Sequence, residues 1–214
     1  MIIIHHLGIS QSDRVVWLME ELGLLYELKW YSRGKDRLAP PEYLELHPAA
    51  TAPVIEDGDR VLTESAVILE YICHRYAGGR LTVGPREPNY TDYLYWMHFN
   101  NNVLGMFFAN NALKAGSATG PDAERYAGLV KRRQDKYYGY LDQTLSDRPY
   151  VAGPELTCAD IMVTFSLTEL PLFGGRSIDH LKNVVTYVER IRERPAYARA
   201  MKIAGPNAPP PNAG

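Results

Sequence analysis

Apolar and polar positions change period several times along the first third of the chain. Ile2-Ile3-Ile4 is an unbroken apolar run short enough for a buried strand. Val15, Leu18, Met19 and Leu22 then recur at the spacing of one helical face, and Gly23 can close that helix. Tyr26 to Tyr31 alternates as a strand does, and Pro40-Pro41 opens a short helix ending near His47-Pro48. Val54-Ile55 and Val61-Leu62 flank Asp57-Gly58, a strong hairpin signal. Ala66, Ile68, Leu69 and Ile72 mark a further helix. The predicted order is strand, helix, strand, short helix, two strands, helix.

An α/β domain with that order is thioredoxin-like, and it is placed at residues 1–77. Gly78-Gly79 and the stretch from Pro85 to Pro88 make a linker over 78–87. No convincing strand follows. Helical patterns fill Tyr90 to Leu113, Asp122 to Leu145, Cys158 to Leu170 and Leu181 to Arg194, with Pro149, Pro154, Pro171 and Pro195 as punctuation. The second domain, 88–204, is therefore all-α. Thr157-Cys158-Ala159-Asp160 reads as a capping box with a structural role. The proline-rich tail over 205–214 is expected to be poorly ordered.

Composition narrows the function. Hydrophobic residues make up 46% of the 214, enough for a core, and the net charge is −2. No basic stripe stands out, so a nucleic-acid partner is not expected. Lys131-Arg132-Arg133, the best basic cluster, lies in a helical pattern and reads as a solvated face. No apolar run reaches membrane-spanning length, and Met1 leads into strand residues rather than a signal peptide. Cys73 and Cys158 are far apart in apolar helical contexts, which fits buried thiols and a cytoplasmic protein.

The candidate chemistry sits at element junctions. Pro53 stands just ahead of an apolar strand, where its missing N–H is awkward unless the turn needs it, often as a cis peptide. A cis Ala52-Pro53 bond would turn the Ala52 N–H and C=O outward, able to pair an extended peptide. Eleven residues later Glu64-Ser65 meets a helix start, whose free N–H groups suit a carboxylate, while Glu64 suits an ammonium. Together these features form a receptor for a small zwitterionic peptide. Ser10 and Ser12 lie where the first helix begins, and a hydroxyl there can stabilise an anion. Ser10-x-x-Asp13 is equally a capping pattern. His5-His6 invites a metal reading, but adjacent strand residues face opposite sides and no ligand cluster accompanies them, so no metal is expected.

These residues resemble the glutathione transferase superfamily. The resemblance is carried by Ala52-Pro53-Val54-Ile55, by Glu64-Ser65, by the stretch from His5 to Gly23, and by Trp96-Met97-His98-Phe99. It spans Ile2 to about Met201 and is strongest to a fungal and bacterial subgroup with a His-rich first strand. It implies a homodimeric detoxification enzyme that holds glutathione as thiolate for attack on a small apolar electrophile. Glutathione-dependent peroxidase or ether-cleaving activity, or a non-catalytic glutathione-binding module, are its alternatives. It implies Ser10, or else Ser12, a backbone N–H or a second-domain group, as thiolate donor. It implies Ala52, Pro53, Glu64 and Ser65 as glutathione contacts. Many such relatives hold the glycine carboxylate with a Lys or Gln two residues before the proline, where this chain has Thr51, so the resemblance leaves His47 or Arg37 as substitutes. Tyr93, Trp96, Met97 and Asn100 share one helical face, with Phe107-Phe108 beyond; most are expected in the core or a dimer contact, with one or two lining an electrophile pocket, and His98 is a lesser candidate.

Overall fold

The structure, a computed structural model, describes residues 1–114, 116 and 119–211. It divides into two compact units, Met1–Thr82 with Arg190–Gly214, and Val83–Glu189.

The first unit is built on a four-stranded sheet of order β2-β1-β3-β4. Its strands are β1 (Ile2–Leu7), β2 (Tyr26–Tyr31), β3 (Val54–Asp57) and β4 (Arg60–Thr63). β1 runs parallel to β2 and antiparallel to β3, and β3 and β4 form the expected hairpin. Helix α1 (Asp13–Leu22) crosses between the parallel pair, buries Val15, Val16, Trp17, Leu18 and Met19, and is closed by Gly23 at φ 66°. The alternation of β1 sends successive side chains to opposite faces. On one face Leu7 and Val54 meet Tyr43 of the short helix α2 (Pro41–Leu44). Helix α3 (Ser65–Tyr76) follows the hairpin and buries Ile68, Leu69 and Ile72.

The end of the chain returns to this unit. The helix expected through Arg194 stops at Arg192, and Pro195 opens a separate helix, α8 (Pro195–Ala204). Proline suits a first helical turn and breaks an interior one. Arg194 grips Glu21 of α1 at 2.7 and 2.8 Å, Arg199 reaches Glu20 at 2.7 Å, and Tyr197 sets its ring edge on Trp17 at 4.9 Å. In the tail, Ala208 N–H donates to Gly205 O at 3.0 Å, and residues 212–214 lie outside the described residues.

The second unit is helical. α4 (Tyr90–Lys114) packs on α6 (Cys158–Thr168) and α5 (Pro121–Thr144), and α7 (Lys182–Arg192) begins within it. α6 stops two residues short of the expected Leu170, and Pro171 continues the chain in a 3-10 turn, Leu170–Phe173. The capping box forms. Asp160 accepts from Thr157 N–H at 2.8 Å and Thr157 Oγ1 at 3.1 Å, and also from Val151 N–H at 2.9 Å and Tyr187 O–H at 3.0 Å. Burial outweighs these four donors and pushes the carboxyl up to about 6. Cys73 and Cys158 are buried and not disulfide-bonded. Lys131, Arg132 and Arg133 are exposed. No helix among the described residues is long and apolar enough to cross a membrane.

Candidate active site

The site is assembled where β1 hands over to α1. The connecting turn places Ile9 at φ 54°, a left-handed conformation a β-branched residue rarely adopts. Arg33, beyond the end of β2, pins this turn from outside. Its Nε donates to Gly8 O at 2.9 Å, and its terminal nitrogens donate to Ile9 O at 3.1 Å and Arg37 O at 3.0 Å. Two turn carbonyls are thereby held on one side of the turn.

Both predicted serines are buried, Ser10 at 8% exposure and Ser12 at 0%. Ser10 O–H donates to Leu7 O at 2.7 Å, and its Oγ accepts from Ser12 N–H at 3.3 Å. The two hydroxyls meet at 2.8 Å, and Ser12 Oγ lies 2.8 Å from His6 Nδ1. Ser12 is the cap residue of α1, yet its side chain makes no cap hydrogen bond. The hydroxyls thus link to β1 and to each other rather than capping the helix. Burial against Trp30 (ring centroids 4.4 Å) pushes His6 down to about 4, so the ring is neutral.

A buried guanidinium joins this turn to the start of α3. Arg14, 2% exposed, donates from Nη1 to Ser65 Oγ at 3.1 Å and to Gln11 Oε1. Ser65 opens α3 behind Glu64, which is exposed and stands at φ 73°. With its oxygen already accepting from Arg14, the Ser65 hydroxyl keeps its own proton to donate. Helix start, hydroxyl and nearby guanidinium all favour an anion.

The Ala52-Pro53 peptide is cis, as the proline ahead of the strand led us to expect. The β1–β3 ladder pairs Val54 with His5 and goes no nearer to Ala52. Thr51 does not project as a free arm: its Oγ1 meets Thr63 Oγ1 at 3.1 Å, and Thr63 donates to Pro53 O at 3.0 Å. His47 is half-buried and its Nδ1 accepts from Ala49 N–H at 3.1 Å. Arg37 is exposed at φ 66°.

His5 and His6 face opposite sides of the sheet. His5 Nδ1 meets Tyr31 O–H at 2.9 Å and its Nε2 meets Glu56 Oε1 at 2.9 Å, whereas His6 meets Ser12. Among the described residues no three His, Cys, Asp or Glu side chains cluster as metal ligands do. In the helical unit Tyr93, Trp96, Met97 and Asn100 are 1%, 1%, 3% and 0% exposed. Asn100 Oδ1 accepts from Ser166 Oγ of α6, and Trp96 stacks on Tyr140 of α5 at 5.6 Å. Phe107 is buried, whereas Phe108 and His98 are exposed. A cleft of about 330 Å³ between α4 and α5 is lined by Met106, Tyr126, Leu129, Arg133 and Tyr137 among others, and by none of those four.

Three residues shape the site without a sequence signal that assigns them to it: Arg14 and Arg33, which no motif singles out, and His6, which stands only as half of a rejected metal pair. Only Arg14 carried a faint signal, a cation in the first turn of an otherwise apolar-faced helix.

The family described as glutathione S-transferase, N-terminal domain matches residues 10–75, and the corresponding C-terminal domain matches 108–199. Glutathione S-transferase 3 of Schizosaccharomyces pombe is 32% identical, across 92% of this chain and 85% of its own. Glutathione S-transferase 3 of Zea mays is 27% identical, across 93% and 91%. A crystal structure of a glutathione S-transferase from Actinobacillus pleuropneumoniae superposes with a TM-score of 0.81 at 32% identity, covering 97% of this chain and 95% of that one. The chain belongs to the glutathione S-transferase family.

Proposed function

We propose that this glutathione transferase binds glutathione along the cis-proline edge and the start of α3, and ionises its thiol at the Ser10 turn. The observation that carries the reading is Arg14, which ties the serine turn to Ser65 through one 3.1 Å hydrogen bond. A ligand carboxylate at Ser65 and a thiolate at Ser10 would then be held by one rigid frame. Ala52 supplies backbone pairing for the cysteinyl part, Pro53 shapes that edge, and Glu64 faces the ammonium. Thr51 is engaged with Thr63, so the glycine carboxylate is assigned to His47, once its ring turns away from Ala49 N–H, or to Arg37.

The chemical step rests on one exchange of partners. Ser10 O–H donates to Leu7 O in the ligand-free turn. A thiolate is the stronger acceptor, because charge-assisted hydrogen bonds are roughly twice as strong as neutral ones. Turning the proton from Leu7 O to sulfur therefore favours the anion. The first turn of α1 adds its dipole. With its proton released to solvent, the sulfur attacks an electrophilic carbon and either displaces a halide ion or adds to an activated alkene, whose carbanion then takes a proton from water. The co-substrate class we assign is a small apolar electrophile; the working form is a cytoplasmic homodimer.

Calorimetry with glutathione, followed by turnover on halogenated aromatics, activated alkenes and hydroperoxides, tests the reading. Binding with turnover on a halogenated ring or alkene supports it. Turnover on hydroperoxides alone moves the assignment to peroxidase chemistry, and no binding removes it.

A further inference from the structure

We propose that His6 is a positioning residue that donates its Nδ1–H to Ser12 and so directs the Ser12 and Ser10 hydroxyl protons, in series, toward the ligand thiolate. The inference rests on Ser10 as the thiolate donor.

Three side chains form an unbroken chain under the turn. His6 Nδ1 to Ser12 Oγ is 2.8 Å, Ser12 Oγ to Ser10 Oγ is 2.8 Å, and Ser10 Oγ to Leu7 O is 2.7 Å. His6 and Ser12 are both 0% exposed, so bulk water does not compete for these protons. Each hydroxyl has one proton to give, and the direction of the chain decides where the last one goes.

Two directions are possible. If Nδ1 accepts, the Ser12 proton goes to His6. Ser12 Oγ is then open as an acceptor for Ser10, and the Ser10 proton is drawn away from the ligand. If Nδ1–H donates, Ser12 must send its proton onward. Its near acceptor is Ser10 Oγ at 2.8 Å, because Leu7 O lies at 3.5 Å. The Ser10 proton is then released for Leu7 O or for sulfur.

The surroundings of His6 choose between the two. Burial keeps the ring neutral, so it carries one N–H. Nε2 is buried and has no hydrogen-bond partner among the described residues. A proton on Nε2 would be an orphaned buried donor, with only the weak contact of the tilted Trp30 ring. A proton on Nδ1 leaves Nε2 as an unfilled acceptor, which folded proteins tolerate better. The Nδ1–H tautomer is therefore favoured, and the relay points outward.

The test combines the tautomer with the thiol. Nitrogen-15 shifts of His6 in the ligand-free protein should report a proton on Nδ1, by roughly tenfold or more over Nε2. Ultraviolet titration of bound glutathione should then show His6→Leu raising the thiol pKa by about 0.3–0.6 unit, the share expected of one polarising neighbour in a chain. His6→Asn, whose amide can take the Nδ1–H place, should restore most of it. A proton on Nε2 overturns the relay, and that result needs no variant to fold. A His6→Leu protein that melts lower but holds an unmoved thiol pKa also overturns it, leaving His6 a packing residue. Failure of the serine reading shows differently: Ser10→Ala would leave the thiol pKa unmoved although His6 carries its proton on Nδ1, and relay and reading would fall together.

Discussion

Ser65→Ala removes a single oxygen from a residue that is 5% exposed, and three consequences can be separated. Ser65 is the first residue of α3, and the cap position before it makes no side-chain cap hydrogen bond, so no cap is lost. Arg14 Nη1 loses its 3.1 Å acceptor but keeps Gln11, which costs the ligand-free protein about 1 kcal/mol. The ligand loses a hydroxyl donating to a carboxylate, a charged hydrogen bond of about 1.5–3 kcal/mol. That corresponds to roughly 10- to 150-fold weaker glutathione binding. Calorimetry gives the affinity, and a thermal melt without glutathione gives the stability. An affinity unchanged within about twofold, with the loss confined to the melt, would exclude a Ser65 hydrogen bond to the ligand. Ser65 would then be only Arg14's partner.

Other perturbations read other parts of the frame. Arg33→Ala frees the Gly8 and Ile9 carbonyls, and should lower stability by about 1–2 kcal/mol and slow turnover more than it weakens glutathione binding; equal activity with a lower melt would limit Arg33 to support. Asp160→Ala strands the Val151 and Thr157 N–H groups, and should cost about 2–5 kcal/mol in urea unfolding while the turnover of the folded fraction stays the same; a loss of turnover without a loss of stability would count against a structural role. His6 is held down to about 4 from 6.5 by burial, so its contribution is complete above pH 6.5 and is lost as pH falls toward 4. Its full size is about 3 kcal/mol. The acid limb of the stability curve should therefore be flatter in His6→Asn than in the parent; parallel limbs would show that His6 does not titrate there.

Local features of this chain were legible because their signals are local. Apolar spacing located α1, the hairpin and α3. A proline ahead of a strand announced the cis peptide at Ala52-Pro53, and Thr157 with Asp160 announced their box. What stayed hidden depends on partners distant in sequence. Nothing around Arg14 says that it will be buried against Ser65, 51 positions later. Nothing near Arg194 says that it returns to Glu21, or that α8 rejoins the first unit. The helical face of Tyr93, Trp96, Met97 and Asn100 was readable as a face. Periodicity shows which residues turn together, not whether they meet a ligand or the neighbouring α6. The serines illustrate the same limit: a serine before a helix looks like a cap, and only the fold ties Ser10 to Leu7 and Ser12 to His6.

The pKa of glutathione's thiol when bound, followed by ultraviolet difference titration in the parent and in Ser10→Ala, decides whether the Ser10 hydroxyl ionises the sulfur. The bound thiol should ionise at a pKa well below that of free glutathione. In Ser10→Ala it should return upward by about 1–2 units, the worth of one hydrogen bond to a charged group, with affinity at low pH little changed. An unshifted thiol in the parent, or the same lowered pKa with and without the Ser10 hydroxyl, would rule out ionisation by Ser10.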